Sequence, residues 1–140
     1  MKLRIIALSI IILLILPILS CIVTSRDIHV EISCDDFMEN PTSMRNEFEI
    51  EVGDKVYVEL CSNPTTGFEW SYEMSGDMAI KEEDHDFHPP EGDVPGAPGK
   101  ENWTFEGISK GDSEILMEYS QPWAGGIKKE WTYKITITVK

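Results

Sequence analysis

The sequence predicts an all-β fold, an immunoglobulin-like antiparallel sandwich of about seven strands with Greek-key connections. Three observations lead there. Apolar residues recur at every second position in seven short runs, the runs are separated by Gly, Pro, Asn and Asp, and no segment carries a helical stripe. A period of two buries one face of a strand and leaves the other wet. The chain's 140 residues are room for one domain.

The first segment stands outside that pattern. Lys2 and Arg4 make a positive start, Ile5 to Leu19 are apolar apart from Ser9, and Ser20-Cys21 follow. This reads as an export signal over residues 1–20. Ile18-Leu19-Ser20-Cys21 resembles a lipobox, which would place a lipid on Cys21. Plain secretion is one alternative. An uncleaved anchor is another, because a spanning helix needs roughly 20 apolar residues and Ile5 to Val23 approaches that; Pro17 fits processing better. All three addresses are extracytoplasmic. Residues 21–27 read as a linker and 28–140 as the domain.

The strands follow in order. Ile28, Val30 and Ile32 alternate with His29 and Glu31; Phe48, Ile50 and Val52 alternate with Glu47, Glu49 and Glu51. After a Gly53-Asp54 turn come Val56, Val58 and Leu60, then Phe68, Trp70 and Tyr72, then Trp103 and Phe105. Ile115, Met117 and Tyr119 form the sixth run, and Trp131, Tyr133, Ile135, Ile137 and Val139 the longest. Trp70 and Trp131 are expected in the core. Lys81 to Lys100 holds Pro89-Pro90, Pro95-Gly96 and Pro98-Gly99, so it is expected as a long loop or an edge.

Removing residues 1–20 leaves ten Lys and Arg against 25 Asp and Glu, a net charge of −15. Such a surface repels nucleic acid and gains nothing from anionic lipid. Membrane contact is expected only through an N-terminal lipid or anchor, and a monomer is expected. With Cys21 lipidated, Cys34 and Cys61 are an even pair in an oxidising compartment. A disulfide between them would contribute about 3 kcal/mol; two buried free thiols are the alternative.

Little in the chain resembles catalytic chemistry. Asp84-His85-Asp86-Phe87-His88 is the best metal candidate, yet its spacing matches no ligand pattern and a solvated acidic loop is simpler. A cysteine paired with His85 or His88 lacks a helix N-terminus to lower the thiol pKa. No phosphate-cradling glycine loop and no paired-carboxylate signature occur. No metal, cofactor or enzyme activity is therefore expected.

Three chargeless windows are more informative: Leu60 to Phe68, Val94 to Gly99 and Tyr119 to Ile127. In the first, Pro64 fixes its own φ and restricts Asn63, Thr65 and Thr66 are stiff at χ1, and Gly67 permits a positive φ. Such a loop has few conformers to lose on binding. In the third, Pro122-Trp123 presents a large aromatic beside Ala124-Gly125-Gly126. Alternate connections of a Greek-key sandwich emerge at one end, so all three windows could line one edge. Three ordinary turns, with Trp123 folded back on the core, are the plainer alternative.

Asn63-Pro64-Thr65-Thr66-Gly67-Phe68, the later Gly96-Ala97-Pro98-Gly99 and the final Gln121-Pro122-Trp123-Ala124-Gly125-Gly126 resemble the three loops of the chagasin-like inhibitors of papain-type cysteine peptidases. The resemblance runs from about Ile28 to Val139 and implies an immunoglobulin-like sandwich that blocks a peptidase cleft reversibly. Residues 63–68 would enter at the catalytic centre, 94–99 would close one side, and Gln121, Pro122 and Trp123 would press on the other. The family has Arg before Pro-Trp, where this chain has Gln121. A surface-anchored module binding a carbohydrate or an envelope protein through Trp123 is the competing expectation.

Overall fold

The computed structural model describes residues 26–39, 42–92 and 94–140. The export signal, Cys21 and most of the linker lie outside the described residues. Eight strands and one short helix follow in order: β1 (Ile28–Ile32), α1 (Cys34–Glu39), β2 (Ser43–Ile50), β3 (Lys55–Ser62), β4 (Glu69–Gly76), β5 (Ile80–His88), β6 (Gly99–Gly107), β7 (Gly111–Ser120) and β8 (Trp131–Val139). A single 3-10 turn, Pro64–Thr66, lies between β3 and β4.

The strands form two four-stranded sheets, in the orders β1-β3-β6-β5 and β2-β8-β7-β4. Each strand of β7 and β8 alternates buried with half-buried residues along its length. The inward residues make one core, in which Val56, Phe105, Ile115, Met117, Tyr133, Ile135 and Ile137 are fully buried. Each large side chain so buried contributes about 1.5–3 kcal/mol relative to exposure.

Three features differ from the expected sandwich. Each sheet carries one parallel pair at an edge, β1 with β3 and β2 with β8, beside the antiparallel ladders. An eighth strand, β5, occupies the first part of the proline-rich segment as an edge, and a loop takes the rest. The helix α1 is the third. Ser33 begins it: the Ser33 hydroxyl accepts from the Asp36 amide at 3.2 Å, while the Asp36 carboxylate accepts from the Ser33 amide at 2.9 Å and its hydroxyl at 2.6 Å. This is a capping box. It also holds the Asp36 carboxyl below its ordinary pKa, chiefly through the Ser33 hydroxyl.

The helix is fixed to the sandwich by Phe37, 1% exposed, whose ring stacks on Trp131 at 4.7 Å and meets Trp70 at 5.5 Å. Trp70 is core, with its indole N–H donating to the Cys61 carbonyl at 2.9 Å. Trp131 is half-buried, closed by Phe37 on one side and Tyr119 on the other. Cys34 and Cys61 are joined in a disulfide with their Cα atoms 5.0 Å apart, so α1 is also tied covalently to the end of β3.

Candidate functional site

The three chargeless windows follow β3, β5 and β7. They are alternate connections and emerge at one end of the sandwich. The first is organised by Asn63. Its side-chain oxygen accepts from the Thr65 amide at 3.2 Å and the Thr65 hydroxyl at 2.7 Å, and its carbonyl accepts from the Thr66 amide at 3.1 Å and the Thr66 hydroxyl at 2.6 Å. The turn closes with the Gly67 amide donating to the Pro64 carbonyl at 3.0 Å, Gly67 having a φ of +79°. Pro64, Thr65 and Thr66 are exposed at the tip. Phe68 lies in the loop, since β4 begins at Glu69; half-buried, its ring stacks on Tyr119 at 5.2 Å, so it supports the turn from below.

Two further bonds from Asn63 fix the loop to its surroundings. Its amide donates to the Tyr119 hydroxyl at 2.7 Å, and its side-chain nitrogen donates to the Gly96 carbonyl at 2.9 Å. The second joins the first window to the middle one. There Val94 to Ala97 makes a turn closed by the Ala97 amide on the Val94 carbonyl at 3.2 Å. Gly96 and Pro98 are exposed and Ala97 is half-buried, whereas Gly99 is buried as the first residue of β6. A Cβ on Gly99 would lie 2.3 Å from the His88 carbonyl oxygen, so this glycine serves the close approach of β5 rather than the surface.

The third window lies against the first from the other side. The benzo ring of Trp123 rests over Gly67, where an added Cβ would stand 2.5 Å from Cη2. Trp123 is half-exposed, neither sealed in the core nor free in solvent. Gln121 is internal to the loop: its side-chain oxygen accepts from the Ile127 amide at 3.0 Å, and its side-chain nitrogen reaches the Thr66 carbonyl at 3.5 Å. Lys128, just past the chargeless stretch, turns its ammonium back to the Gln121 carbonyl and to the Trp123 carbonyl, the latter at 3.2 Å.

The result is a neutral ridge of three tips with Thr65 and Thr66 in the middle. Val94, Trp123 and Ile127 add exposed apolar surface to it, and Phe87 and Met38 flank it. Apolar side chains gathered at one end mark contact surfaces more often than scattered ones do. The acidic segment reads differently. Strand alternation sends Asp84, Asp86 and His88 of β5 to one face and His85 and Phe87 to the other. His85 stacks on Trp103 at 4.6 Å and bonds Glu101 at 2.8 Å, while His88 pairs with Asp86 at 2.7 Å. Among the described residues no group of three His, Cys, Asp or Glu side chains could hold a metal ion.

Tyr119, which the sequence reading places at the end of the sixth run and at the start of the third window, lies beneath the site. Its ring is 3% exposed and its hydroxyl holds Asn63. Tyr119→Phe leaves a partly buried amide without its acceptor, which costs about 1–3 kcal/mol. Thermal denaturation is expected to show a lower Tm for this variant, with the sandwich's circular dichroism unchanged at 20 °C.

Comparison with known proteins gives a consistent result. Residues 49–137 match the family described as chagasin family peptidase inhibitor I42. Chagasin of Trypanosoma cruzi is 31% identical over 80 residues, spanning 54% of this chain and 73% of that one. The crystal structure of the cysteine protease inhibitor EhICP2 from Entamoeba histolytica is similar with a TM-score of 0.63 at 18% identity, covering 81% of this chain and 96% of that one. PbICP-C, solved in complex with falcipain-2, gives a TM-score of 0.55 at 16% identity, covering 83% and 100%. At those identities the structural likeness speaks for the fold alone.

Proposed function

Because the chain belongs to the chagasin family of peptidase inhibitors, we propose that it inhibits papain-type cysteine peptidases by filling the active-site cleft with loops 63–68, 94–99 and 121–126. The observation that carries this reading is the way the loops meet: Asn63 bonds Gly96, and Trp123 lies over Gly67. The three tips therefore enter a groove as one body. Little conformational entropy is lost when they do, because the turn is already closed by its own hydrogen bonds.

The chemistry of the tip suits such a target. A working thiolate and imidazolium sit in a partly desolvated groove, and an inserted carboxylate or ammonium would lose its hydration there. Pro64, Thr65 and Thr66 bring no charge, and both threonine hydroxyl protons are already donated to Asn63. The 3-10 turn also keeps residues 63–67 out of the extended shape a cleavable segment adopts. Inhibition is thus reversible, without cleavage of the loop. Gln121 does its work inside the inhibitor, so the affinity of the third loop comes from Trp123 and its neighbours. Export through residues 1–20, with or without a lipid on Cys21, would present the domain to a peptidase outside the cytoplasm.

The test is titration of several papain-type peptidases, with a serine peptidase as control, using a soluble chain that begins at residue 22. Nanomolar to micromolar inhibition confined to the cysteine peptidases is expected. Trp123→Ala removes a half-exposed aromatic anchor and is expected to raise Ki about 30-fold, which corresponds to about 2 kcal/mol. Thr66→Arg at the tip is expected to weaken inhibition further. A folded protein that inhibits no cysteine peptidase, or one whose potency ignores both substitutions, overturns the reading; binding to a glycan array without inhibition would favour the competing one.

A further inference from the structure

We propose that α1 is a fourth contact element of the inhibitor, with Met38 packing against an apolar side chain on the rim of the same peptidase cleft. This rests on the three-loop reading above. Met38 is 76% exposed, more than any other large apolar side chain among the described residues. It does not stand alone. It lines a cavity of about 310 Å³ together with Asn63, Thr66, Pro98 and Trp131. The first two belong to the central loop, Pro98 to the middle one, and Trp131 opens β8 behind the third. The wall that carries Met38 is therefore continuous with the ridge that enters the cleft.

The cavity has the character of a recognition pocket. Its size lies at the small end of the 300–1,000 Å³ typical of sites that hold a ligand or a side chain, and such sites are mostly apolar with a few polar groups. Here Phe68, Pro98 and Trp131 give the lining its apolar part, and Asn63, Thr66 and Glu130 its polar part. Met38 is also held still from beneath. Its neighbour Phe37 is fully inserted between Trp70 and Trp131, the Ser33–Asp36 capping box fixes the first turn, and the Cys34–Cys61 disulfide clips the helix to the strand that leads into the central loop. A methionine on a rigid base keeps its own adaptability while the backbone loses nothing on binding. Methionine is enriched at interfaces relative to other surface.

The helix adds a preference as well as area. Asp35, Asp36 and Glu39 are exposed around Met38. A rim that is apolar opposite Met38 and carries no carboxylates nearby is accepted, and an acidic rim is repelled. The segment matched to the family begins at residue 49, so α1 lies before it in the chain, between β1 and β2 of the sandwich.

The experiment measures Ki against papain for the soluble protein and for Met38→Ala, Met38→Glu and Trp123→Ala. Met38→Ala is expected to raise Ki about 5-fold and Met38→Glu about 20-fold or more. Neither change should move Tm, since a residue this exposed contributes within about 0.5 kcal/mol to stability. If Trp123→Ala weakens inhibition while both Met38 variants match the parent, the fourth contact is overturned and the three-loop reading stands. If all three match the parent, both fall.

Discussion

Gly67→Ala is expected to raise Ki against a papain-type peptidase about 100-fold, about 3 kcal/mol, because two effects shift the tips out of their binding geometry. The first is local. Gly67 has a φ of +79°, where a residue with a Cβ is strained by roughly 1–2 kcal/mol. The second is contact. The new Cβ would stand 2.5 Å from Cη2 and 3.0 Å from Cζ3 of Trp123, well inside the 3.5–4.0 Å at which carbon atoms attract. The rigid indole must move, and it takes the third loop with it. One methyl group thus disturbs the central turn and displaces the aromatic anchor beside it. Gly53→Ala serves as the control. Its φ of +94° imposes similar backbone strain, but nothing lies within 4 Å of the added atom, and it sits in the β2–β3 turn at the other end of the sandwich. Gly53→Ala is expected to lower Tm and leave Ki unchanged. Equal Ki values for the two variants would mean that the contact between Trp123 and Gly67 does not matter for inhibition.

That contact explains how much of the site was legible in the sequence. The residue types of the central loop announce a stiff, neutral turn, because proline, β-branched threonine and glycine each restrict or permit backbone angles locally. Which loops touch is not a local property. It depends on β3, β5 and β7 leading to one end, and β5 is invisible to period-two reading. Its sequence from Lys81 to Asp86 is nearly all charged, since an edge strand needs few apolar residues; of its nine residues only Ile80 is buried. The parallel pairings of β1 with β3 and β2 with β8 are hidden for the same reason, as alternation is identical in parallel and antiparallel strands. The six residues of α1 are too few for a helical stripe. Ser33 and Asp36, three apart, were the available signal for it. Gln121 shows the converse case. Its place in the motif is plain, but its bond to the Ile127 amide follows from the loop's fold, and so does the return of the Lys128 ammonium to the Gln121 carbonyl.

Replacing both Cys34 and Cys61 by serine is expected to lower the stability of the domain by about 3 kcal/mol. The cysteines are 27 residues apart, and a cross-link of that span removes about 3 kcal/mol of chain entropy from the unfolded state. For a domain of this size the Tm is expected to fall on the order of 10 °C. The native state should change much less. β3 and β6 remain paired from Lys55–Glu106 to Ser62–Gly99 without the bond, so the strand that delivers Asn63 keeps its register. Tyr119 and Gly96 still hold the turn. The helix is more exposed to the loss, since Phe37 and the capping box alone would keep it in place. Inhibition at 25 °C is therefore expected to weaken only about as far as Met38→Ala weakens it, roughly 5-fold, while heat resistance drops sharply. Circular dichroism melting and Ki on the same preparation separate the two effects. A Ki that rises with Tm held constant would show that the disulfide positions the loop, whereas a Tm that falls on the order of 10 °C with Ki raised no more than about 5-fold shows a cross-link that acts mainly on the unfolded chain. The second outcome is the one the geometry predicts, because every hydrogen bond that shapes the tip is made by groups other than the sulfurs.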